Sequence, residues 1–499
     1  MRNRSAMKLL IDTNIFIPLE PLGEPSFEPS TRVAAQISEL ASRGGASLFV
    51  HPASRDDLKR DGDTSRREIR RQQIRKYASI ENPPELSSRL RRTLGESERG
   101  SNDWVDHMLL MAVEANAVDY LISEDLGIAR GARSLRLDSR VLSLADAASL
   151  LANLFDRIPR PPPRVETLKA YSLDETDPIF QTFREDYGET EFNKWLHKCQ
   201  LEHRDAWIIR SQEKKGLAGL AIVKSQEEPE FGLDGRLLKL CSFKVADGYQ
   251  GFRFGELLLK AVFDFAVKNV YSQIYVTVLP RHGQLIRLLE TFGFERMDQV
   301  TELEEWVFEK PMQAEEGKEA SMVPLDFNIR YGPFVARTTN VPVYLVPIQP
   351  QWHRLLFPEV EEQQELEQGQ LACGNAIQKA YLSRSRTSAL EQGSILFFYR
   401  SGEDGRVTAV GVVEDTLRTS DPEDIVRFAG TRTVYRLDQI EEMCEGAEVL
   451  TILFRFSRRL SPSIRLPELY AAGVLTGAPQ SITRLGEEGT EWLTGHMRA

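Results

Sequence analysis

The chain has 499 residues, with 63 Lys or Arg against 74 Asp or Glu, so its net charge is −11. The length favours about three domains, and the negative total excludes a uniformly basic nucleic-acid binder. The four cysteines lie outside metal-ligand spacing of one another, which excludes a disulfide scaffold and a CxxC zinc site and favours a reducing, cytoplasmic compartment.

Two linker-like stretches divide the sequence. Residues 157–164 contain four prolines, which is typical of a stiff spacer. Residues 310–322 are polar, and we predict no regular structure there. The three segments are therefore 1–156, 164–311 and 322–499. No run of residues has the apolar length of a membrane span or the pattern of a cleaved signal peptide, so we expect no membrane association.

The first segment alternates strand-like and helix-like patterns, which predicts a parallel α/β sheet. The predicted strands are 8–17, 46–50, 118–122 and 140–143, and the predicted helices are 105–117 and 144–154.

Acidic residues follow these strands. Asp12 closes the first apolar strand, Asp125 follows the third, and Asp106 opens a helix. Asp57 follows the second strand, with Asp56 as an alternative. Carboxylates held together on a rigid sheet repel one another, and a hard divalent cation is the usual resolution. The alternative interpretation is that these acids are helix caps and surface charges.

Two motifs in this segment, LLIDTN at 9–14 and LISED at 121–125, resemble the first and last signatures of PIN-domain ribonucleases. The resemblance implies an α/β/α fold and RNA hydrolysis with bound Mg²⁺ or Mn²⁺. The metal-binding catalytic acids that it implies are Asp12, Asp57, Asp106 and Asp125. Asn14 and Ser123 match the polar residues that orient those carboxylates.

Six of the eleven residues 66–76 are basic, which suits phosphate neutralisation close to the acids. The alternative is a solvated helical face. The candidate RNA contacts in this stretch are Arg66, Arg67, Arg70 and Arg71.

The second segment predicts a strand at 236–245, a loop, a helix at 256–268, a strand at 273–279 and a helix at 284–292. A loop that feeds backbone N–H groups into a helix N-terminus can bind a pyrophosphate. This order resembles GNAT-type N-acetyltransferases, and the resemblance implies acetyl-CoA as cofactor. The implied cofactor contacts are Phe243, Val245, Gln250, Gly251, Phe252, Arg253, Phe254 and Gly255.

The segment departs from the GNAT pattern at three positions. Arg253 replaces a glycine where close backbone approach is expected, and it could pair with a phosphate or fill the slot. His282 and Leu289 stand where the family commonly has an Asn and a Tyr general acid. The alternative to an active transferase is a scaffold retained for binding.

The third segment has short strands at 341–346, 394–399, 407–413 and 449–455, which predict a small β-barrel. The Glu-Gln-Gly at 391–393 before an apolar strand resembles the PUA-like superfamily of ASCH and EVE domains. That resemblance implies RNA or modified-base binding, with Lys379, Arg384 and Arg386 near the cleft and Tyr381 as a stacking platform. The alternative is a basic helix with Tyr381 in the core.

We therefore expect a multidomain α/β protein acting as a metal-dependent ribonuclease, with GNAT-like and PUA-like modules that regulate or target it. By analogy it would be a toxin or defence effector, with RNA as partner and an inhibitor protein as a further candidate partner. Two alternatives stay open: an acetyl-CoA-dependent N-acetyltransferase acting on or near RNA, and a non-catalytic RNA-binding regulator.

Overall fold

The computed structural model describes residues 7–20, 29–58, 64–155, 164–211, 216–246, 249, 253–314, 317–358, 376–387 and 390–497. The side chains of Ile17, Pro29, Ser30, Arg32, Asp56, Ser65 and Arg66 are outside this description. The chain divides into two compact units. One comprises 1–158 and 419–446, and the other comprises 159–418 and 447–499.

The first unit contains a five-stranded sheet in the order β3-β2-β1-β4-β5, and every pairing is parallel. Its strands are β1 Lys8–Ile11, β2 Ser47–Val50, β3 Ala78–Ser79, β4 Tyr120–Ile122 and β5 Val141–Leu142. The central strands are short and apolar on both faces, as a sheet covered by helices on both sides requires. The strands predicted at 46–50, 118–122 and 140–143 are present with shorter bounds. The strand predicted at 8–17 ends at Ile11, and the prediction was wrong for residues 13–17, which lie in a helix that begins at Thr13.

Among the described residues, eight α-helices precede, follow or connect these strands. They are α1 Thr13–Leu19, α2 Pro29–Gly44, α3 Ser54–Leu58, α4 Thr64–Gln73, α5 Ser88–Leu94, α6 Asn102–Glu114, α7 Leu126–Ser134 and α8 Leu144–Phe155. Helix α6 begins after the N-cap Ser101, whose hydroxyl accepts from the Trp104 N–H at 3.1 Å. Its apolar side packs with Leu10 and Leu121 of the central strands in one buried cluster.

The second unit begins with a seven-stranded sheet in the order β11-β12-β10-β9-β8-β7-β6. Its strands are β6 Val165–Lys169, β7 Asp205–Arg210, β8 Leu217–Gln226, β9 Leu237–Val245, β10 Gln273–Val278, β11 Glu295–Val300 and β12 Trp306–Pro311. The helices are α9 Gln181–Tyr187, α10 Glu189–Leu201, α11 Phe254–Lys268 and α12 Gly283–Thr291. Strands β9 and β10 are parallel and the other neighbours are antiparallel.

A six-stranded sheet in the same unit has the order β14-β17-β16-β15-β13-β18. Its strands are β13 Val343–Ile348, β14 Gln378–Ser383, β15 Ile395–Arg400, β16 Arg406–Thr419, β17 Val449–Arg465 and β18 Thr483–Arg484. Closure of this sheet into a PUA-like barrel stays a prediction. The stretch considered as a basic helix is strand β14, so that interpretation was wrong.

The remaining helices are α13 Lys318–Ser321, α14 Pro324–Tyr331, α15 Pro350–Leu356, α16 Pro422–Ala429, α17 Leu437–Cys444, α18 Leu466–Ala471 and α19 Glu487–Gly495. Strand β12 and helix α13 both reach into the stretch 310–322, so the prediction of no regular structure there was wrong for residues 310–311 and 318–321. Helices α16 and α17 belong to the first unit although they connect β16 to β17. Across the described ranges, no helix combines the length and hydrophobicity of a membrane span.

Candidate functional site

The carboxyl ends of β1 and β4 bring their polar side chains together. Asp12, which follows β1, is 6% exposed and accepts a hydrogen bond of 2.8 Å at Oδ2 from the Ser123 hydroxyl, which follows β4. Ser123 Oγ in turn accepts from the backbone N–H of Asp125 at 3.0 Å and from Asn14 Nδ2 at 3.5 Å. Parallel strands β1 and β4 are neighbours, so their ends necessarily meet at one edge.

Thr13 joins Asp12 to Asp57. The Thr13 hydroxyl donates to Asp57 Oδ2 at 2.5 Å, and its backbone N–H donates to Asp12 Oδ1 at 2.6 Å. The structure thus places Asp57 beside Asp12, whereas the side chain of Asp56 lies outside the described residues. The sequence analysis did not select Thr13. Its position directly after Asp12 could have indicated that it lies in the acidic cluster.

The pKa values of two carboxyls show that these acids share one electrostatic field. Burial raises the pKa of Asp12 to about 6, and the charges of Asp57 and Asp125 add to the increase. Burial likewise raises the pKa of Asp106 to about 7, with further contributions from Asp125, Asp12, Asp103 and Asp57, in that order. The acids predicted from distant segments are therefore close enough to influence one another's ionisation.

Asp125 also serves as a helix cap. Its Oδ1 accepts from the backbone N–H groups of Gly127 at 2.6 Å and Ile128 at 3.0 Å, the pattern of an N-cap at the start of α7. The capping alternative is thus realised for Asp125, while its charge still acts on Asp12 and Asp106.

The chemistry of this cluster suits a hard cation, because every donor is an oxygen. Yet no group of three or more His, Cys, Asp or Glu side chains among the described residues is arranged to hold a metal ion. The predicted Mg²⁺ or Mn²⁺ ligands therefore lie near one another and affect one another's pKa values. Their side chains are not arranged around a common point as metal ligands would be.

The predicted RNA-contacting arginines of helix α4 differ in exposure. Arg70 is 5% exposed, donates to the Glu20 carbonyl at 2.5 Å and lies 5.7 Å from the Phe16 ring centroid, so it holds helix α1 in place. Arg71 is exposed and lies 3.4 Å from Glu68. Arg67 is half-buried, and the side chain of Arg66 lies outside the described residues.

The second unit contains a gap between two parallel strands. Strands β9 and β10 pair with each other only over three residues each, 237–239 of β9 and 273–275 of β10. Beyond these residues, β9 continues to Val245 and β10 to Val278. A bulge at Cys241 marks the same point in the pairing of β9 with β8. Beyond it, the facing backbone groups of β9 and β10 have no ladder partner, and such groups need a ligand, water or side chain to bond.

The first turn of helix α11, which follows β9 along the chain, packs closely against the side chains of Leu288 and Phe243. A Cβ on Gly255 would lie 3.0 Å from Leu288 Cδ2 and 3.8 Å from Phe243 Cε1, so any larger residue here would push the Leu288 side chain aside. Phe254 is buried and stacks on Tyr249 with ring centroids 5.7 Å apart. The predicted cofactor contacts Gln250, Gly251 and Phe252 lie outside the described residues.

Arg253 has a left-handed backbone, with φ 60° and ψ 22°, a conformation that glycine adopts without strain and that other residues rarely adopt. Its Nη1 lies 3.3 Å from Oε1 of Glu256, whose side chain is 4% exposed. The sequence left two alternatives for Arg253, pairing with a phosphate or filling the slot. The structure adds a third, because Arg253 forms an ion pair with Glu256 in the first turn of α11.

Helix α9 spans the mouth of the gap. Thr182 accepts a hydrogen bond of 3.0 Å from Lys244 Nζ near the end of β9. Asp186, on the same helix, lies 2.7 Å from Nε2 of His282, which precedes α12 beyond the end of β10. The sequence analysis singled out His282 and missed Asp186, since 96 residues separate the pair. Leu289 is fully buried in the core.

The candidate residues of the third segment also separate into buried and exposed ones. Lys379 is fully buried and donates to the Leu356 carbonyl, so the structure places it in the core and not at a cleft. Tyr381 is 7% exposed and donates to the Pro347 carbonyl at 2.9 Å, which is the core alternative. Arg384 and Arg386 are exposed.

Residues 170–294 match the Acetyltransferase (GNAT) family. The second segment thus contains a GNAT acetyltransferase domain, as its strand and helix order had predicted. The match covers neither the first segment nor the third. None of the curated proteins compared with the chain matches it.

Several solved structures are similar to parts of the chain. ASCH from Zymomonas mobilis is 16% identical with a TM-score of 0.25, over 31% of this chain and 94% of that chain. A putative GNAT-family acetyltransferase from Desulfovibrio desulfuricans is 14% identical with a TM-score of 0.24, over 30% and 99%. The NatC complex bound to Gag peptide and CoA is 15% identical with a TM-score of 0.23, over 30% and 99%.

Proposed function

We propose that this chain is an N-acetyltransferase that uses acetyl-CoA. The gap between β9 and β10, inside the domain that matches the GNAT family, carries the proposal. The backbone edges where β9 and β10 no longer pair with each other can hydrogen-bond an extended amide-containing chain as a further strand would. Acetyl-CoA, when bound, supplies the acetyl group as an activated thioester.

The residues at the start of α11 fit such a cofactor in part. The helix N-terminus favours a pyrophosphate, and Gly255 leaves room for the Leu288 side chain beside that helix end. The Glu256 carboxylate adds a negative charge in the same turn, which Arg253 offsets from 3.3 Å. We therefore expect binding that is weaker than an uncharged first turn would allow.

Calorimetry on the full chain tests this function. Acetyl-CoA should bind with one site per chain, and 3′,5′-ADP alone should bind more weakly because it lacks the pantetheine arm. The Asp12→Asn/Asp125→Asn variant is the matched control, since it alters the first unit and should bind acetyl-CoA as the wild type does. Absence of binding to the wild type overturns the proposal.

The acid cluster of the first unit favours a second activity, metal-dependent RNA hydrolysis. The position of the four carboxylates at one edge of the sheet carries this candidate: Thr13 joins Asp12 to Asp57, and Gly127 lies beside both Asp125 and Asp106. Burial, with a smaller contribution from the neighbouring carboxylates, raises the pKa values of Asp12 and Asp106, and a divalent cation relieves repulsion among such groups. Asp12, Asp57, Asp106 and Asp125 would hold Mg²⁺ or Mn²⁺, with Asn14 and Ser123 orienting them. The ion would activate water and stabilise charge at the phosphodiester.

Incubating the full chain with mixed cellular RNA and Mn²⁺, beside the Asp12→Asn/Asp125→Asn variant, tests the ribonuclease. Cleavage by the wild type alone supports it, and equal cleavage by both proteins or by neither sinks it. If the chain binds RNA but neither cleaves RNA nor transfers an acetyl group, the alternative of a non-catalytic RNA-binding regulator is supported. The toxin or defence role, an inhibitor protein and a cytoplasmic location stay predictions.

A further inference from the structure

We propose that His282 and Asp186 form a general-base dyad that accepts a proton from a primary amine during acetyl transfer. This inference rests on the proposed acetyltransferase function and assigns its proton acceptor. The carboxylate-histidine pair lies where helix α9 crosses the mouth of the gap between β9 and β10.

Two contacts fix the position of helix α9 relative to the gap. Thr182 is bonded to Lys244 on the β9 side, and Asp186 is bonded to His282 on the β10 side. Asp186 and Thr182 are separated by about one helical turn, so α9 reaches both strand ends at once. Ligands of sheets with parallel strands bind outside the carboxyl ends of those strands, which is where the dyad lies.

The dyad has the properties of a base held in one orientation. The Asp186 side chain is 8% exposed and that of His282 is 32% exposed, so the carboxylate is shielded while the imidazole reaches solvent. A neutral His282 donates its Nε2–H to Asp186 Oδ2, which leaves the Nδ1 lone pair as the acceptor. Within the described part of the chain, no hydrogen bond to Nδ1 is found.

The cationic side chain of Arg281 also holds Asp186 in place. The guanidinium of Arg281 bonds to Asp186 Oδ1, with Nε at 3.1 Å, while His282 bonds to Oδ2. Asp186 therefore acts as a positioning residue, because it orients the imidazole without itself reaching the acceptor.

Charged groups of both signs surround the dyad. Tyr187 donates a hydrogen bond of 2.6 Å to Glu305, and burial, this hydrogen bond and the charges of Glu305 and Asp186 raise the pKa of Tyr187. The cationic side chains of Arg281 and Lys244 offset part of this negative charge. The acceptor class therefore follows from the chemistry of the step, because a primary amine carries the proton that a base must remove for acetyl transfer.

Acetyl transfer moves the acetyl group from sulfur to nitrogen. The acceptor ammonium gives one proton to His282 Nδ1, and the freed amine nitrogen forms a bond to the thioester carbonyl carbon. The carbon–sulfur bond breaks, the nitrogen releases its second proton to solvent, and the sulfur leaves as a thiolate that takes a proton from solvent. His282 then returns its proton to solvent, so the reaction releases one proton overall. The products are an acetamide and free CoA.

The test uses the full chain, acetyl-CoA and three amine probes: spermidine, kanamycin and a lysine-containing peptide, with thiol release as the readout. We expect His282→Ala to lower kcat by about 10²-fold or more on the probe that the wild type accepts, with acetyl-CoA affinity unchanged by calorimetry. Added imidazole should restore part of the rate, which a merely structural loss would not allow. Asp186→Asn should lower kcat while the KM for acetyl-CoA stays the same.

His197→Gln is the matched control, since His197 is an exposed histidine on α10 and should retain wild-type rates. Retention of the rate in His282→Ala, lack of imidazole rescue, or no amine-dependent thiol release by a wild type that binds acetyl-CoA overturns the dyad and leaves the cofactor site standing. Absence of acetyl-CoA binding overturns the proposed function itself, together with the dyad.

Discussion

The backbone N–H of Ile377 donates a hydrogen bond of 2.6 Å to Oε2 of Glu256, although 121 residues separate the two. Glu256 lies in the first turn of α11, is 3% exposed and also pairs with Arg253. Ile377, directly before β14, packs into the same apolar cluster as the core of the GNAT domain. This contact therefore joins α11 to the C-terminal sheet within the second unit.

Glu256→Ala should destabilise the protein by about 2–4 kcal/mol. The substitution leaves the buried Ile377 N–H without its acceptor and Arg253 without its counter-charge. Urea unfolding at fixed pH measures the loss. Glu228→Ala, at an exposed position in a turn, should change stability by less than about 0.5 kcal/mol. A loss for Glu256→Ala no larger than the control's would contradict the buried contact.

Two substitutions at Arg253 should separate backbone strain from the ion pair. Arg253→Ala and Arg253→Gly both remove the contact with Glu256, but only glycine adopts φ 60° without a Cβ penalty. We expect the glycine variant to be about 1 kcal/mol more stable than the alanine variant in thermal or urea unfolding. Equal stabilities would mean that position 253 does not hold the left-handed conformation in solution.

Asp106→Asn should change how stability depends on pH. The folded pKa of Asp106, about 7, lies above its usual 3.8, so the folded chain binds more protons than the unfolded chain between these values. Stability from this group is present at low pH and declines as pH rises from about 4 through 7. Without added metal, Asp106→Asn should therefore raise the thermal midpoint more at pH 8 than at pH 5.

Asp103→Asn is the control for this pH effect. Asp103 is exposed on the same helix and contributes only a minor part of the field at Asp106, so its variant should keep the wild-type slope. Addition of Mn²⁺ to the wild type at pH 8 should reverse the decline if the carboxylates bind it. A wild-type midpoint that rises steadily from pH 5 to pH 8 would contradict the raised pKa.

Sequence patterns predicted the parts of the fold that depend on local periodicity. Strand β1 with Asp12 at its end, the acid-bearing start of α6 and the β9–α11–β10–α12 order could all be read from apolar spacing. The proximity of Asp12 and Asp125 followed from parallel strand ends alone. In each case the chemistry lies within a few residues of the pattern that predicts it.

Long-range contacts could not be predicted in this way. The partner of His282 is Asp186 on helix α9. The pattern of apolar residues in α9 does not indicate that this helix lies beside the gap between β9 and β10. The PUA-like resemblance implied that Lys379 lies near a binding cleft, yet its ammonium donates to the Leu356 carbonyl inside the core. The association of residues 419–446 with the first unit depends on partners about 300 residues away.

Arg427→Ala should loosen both helix α16 and the start of β4. Arg427 Nε donates to Asp119 Oδ1 at 2.5 Å, and its other nitrogens pair with Glu423 and Asp424 on its own helix, while the adjacent Val426 carbonyl accepts from the buried Tyr120 hydroxyl. Removing the guanidinium leaves three carboxylates that repel one another, so local opening should become easier at both ends of the contact.

Hydrogen exchange followed by mass spectrometry measures this opening. Peptides covering 419–446 and 116–123 should both exchange faster in Arg427→Ala, whereas peptides from the six-stranded sheet should not change. Arg130→Ala, an exposed arginine on α7 of the same unit, should leave both regions at wild-type rates. Faster exchange in 419–446 alone would show that this segment opens without β4. In that case Arg427 would stabilise only its own helix, α16. The contact between residues 419–446 and β4, the strand that precedes Ser123, would then not depend on Arg427.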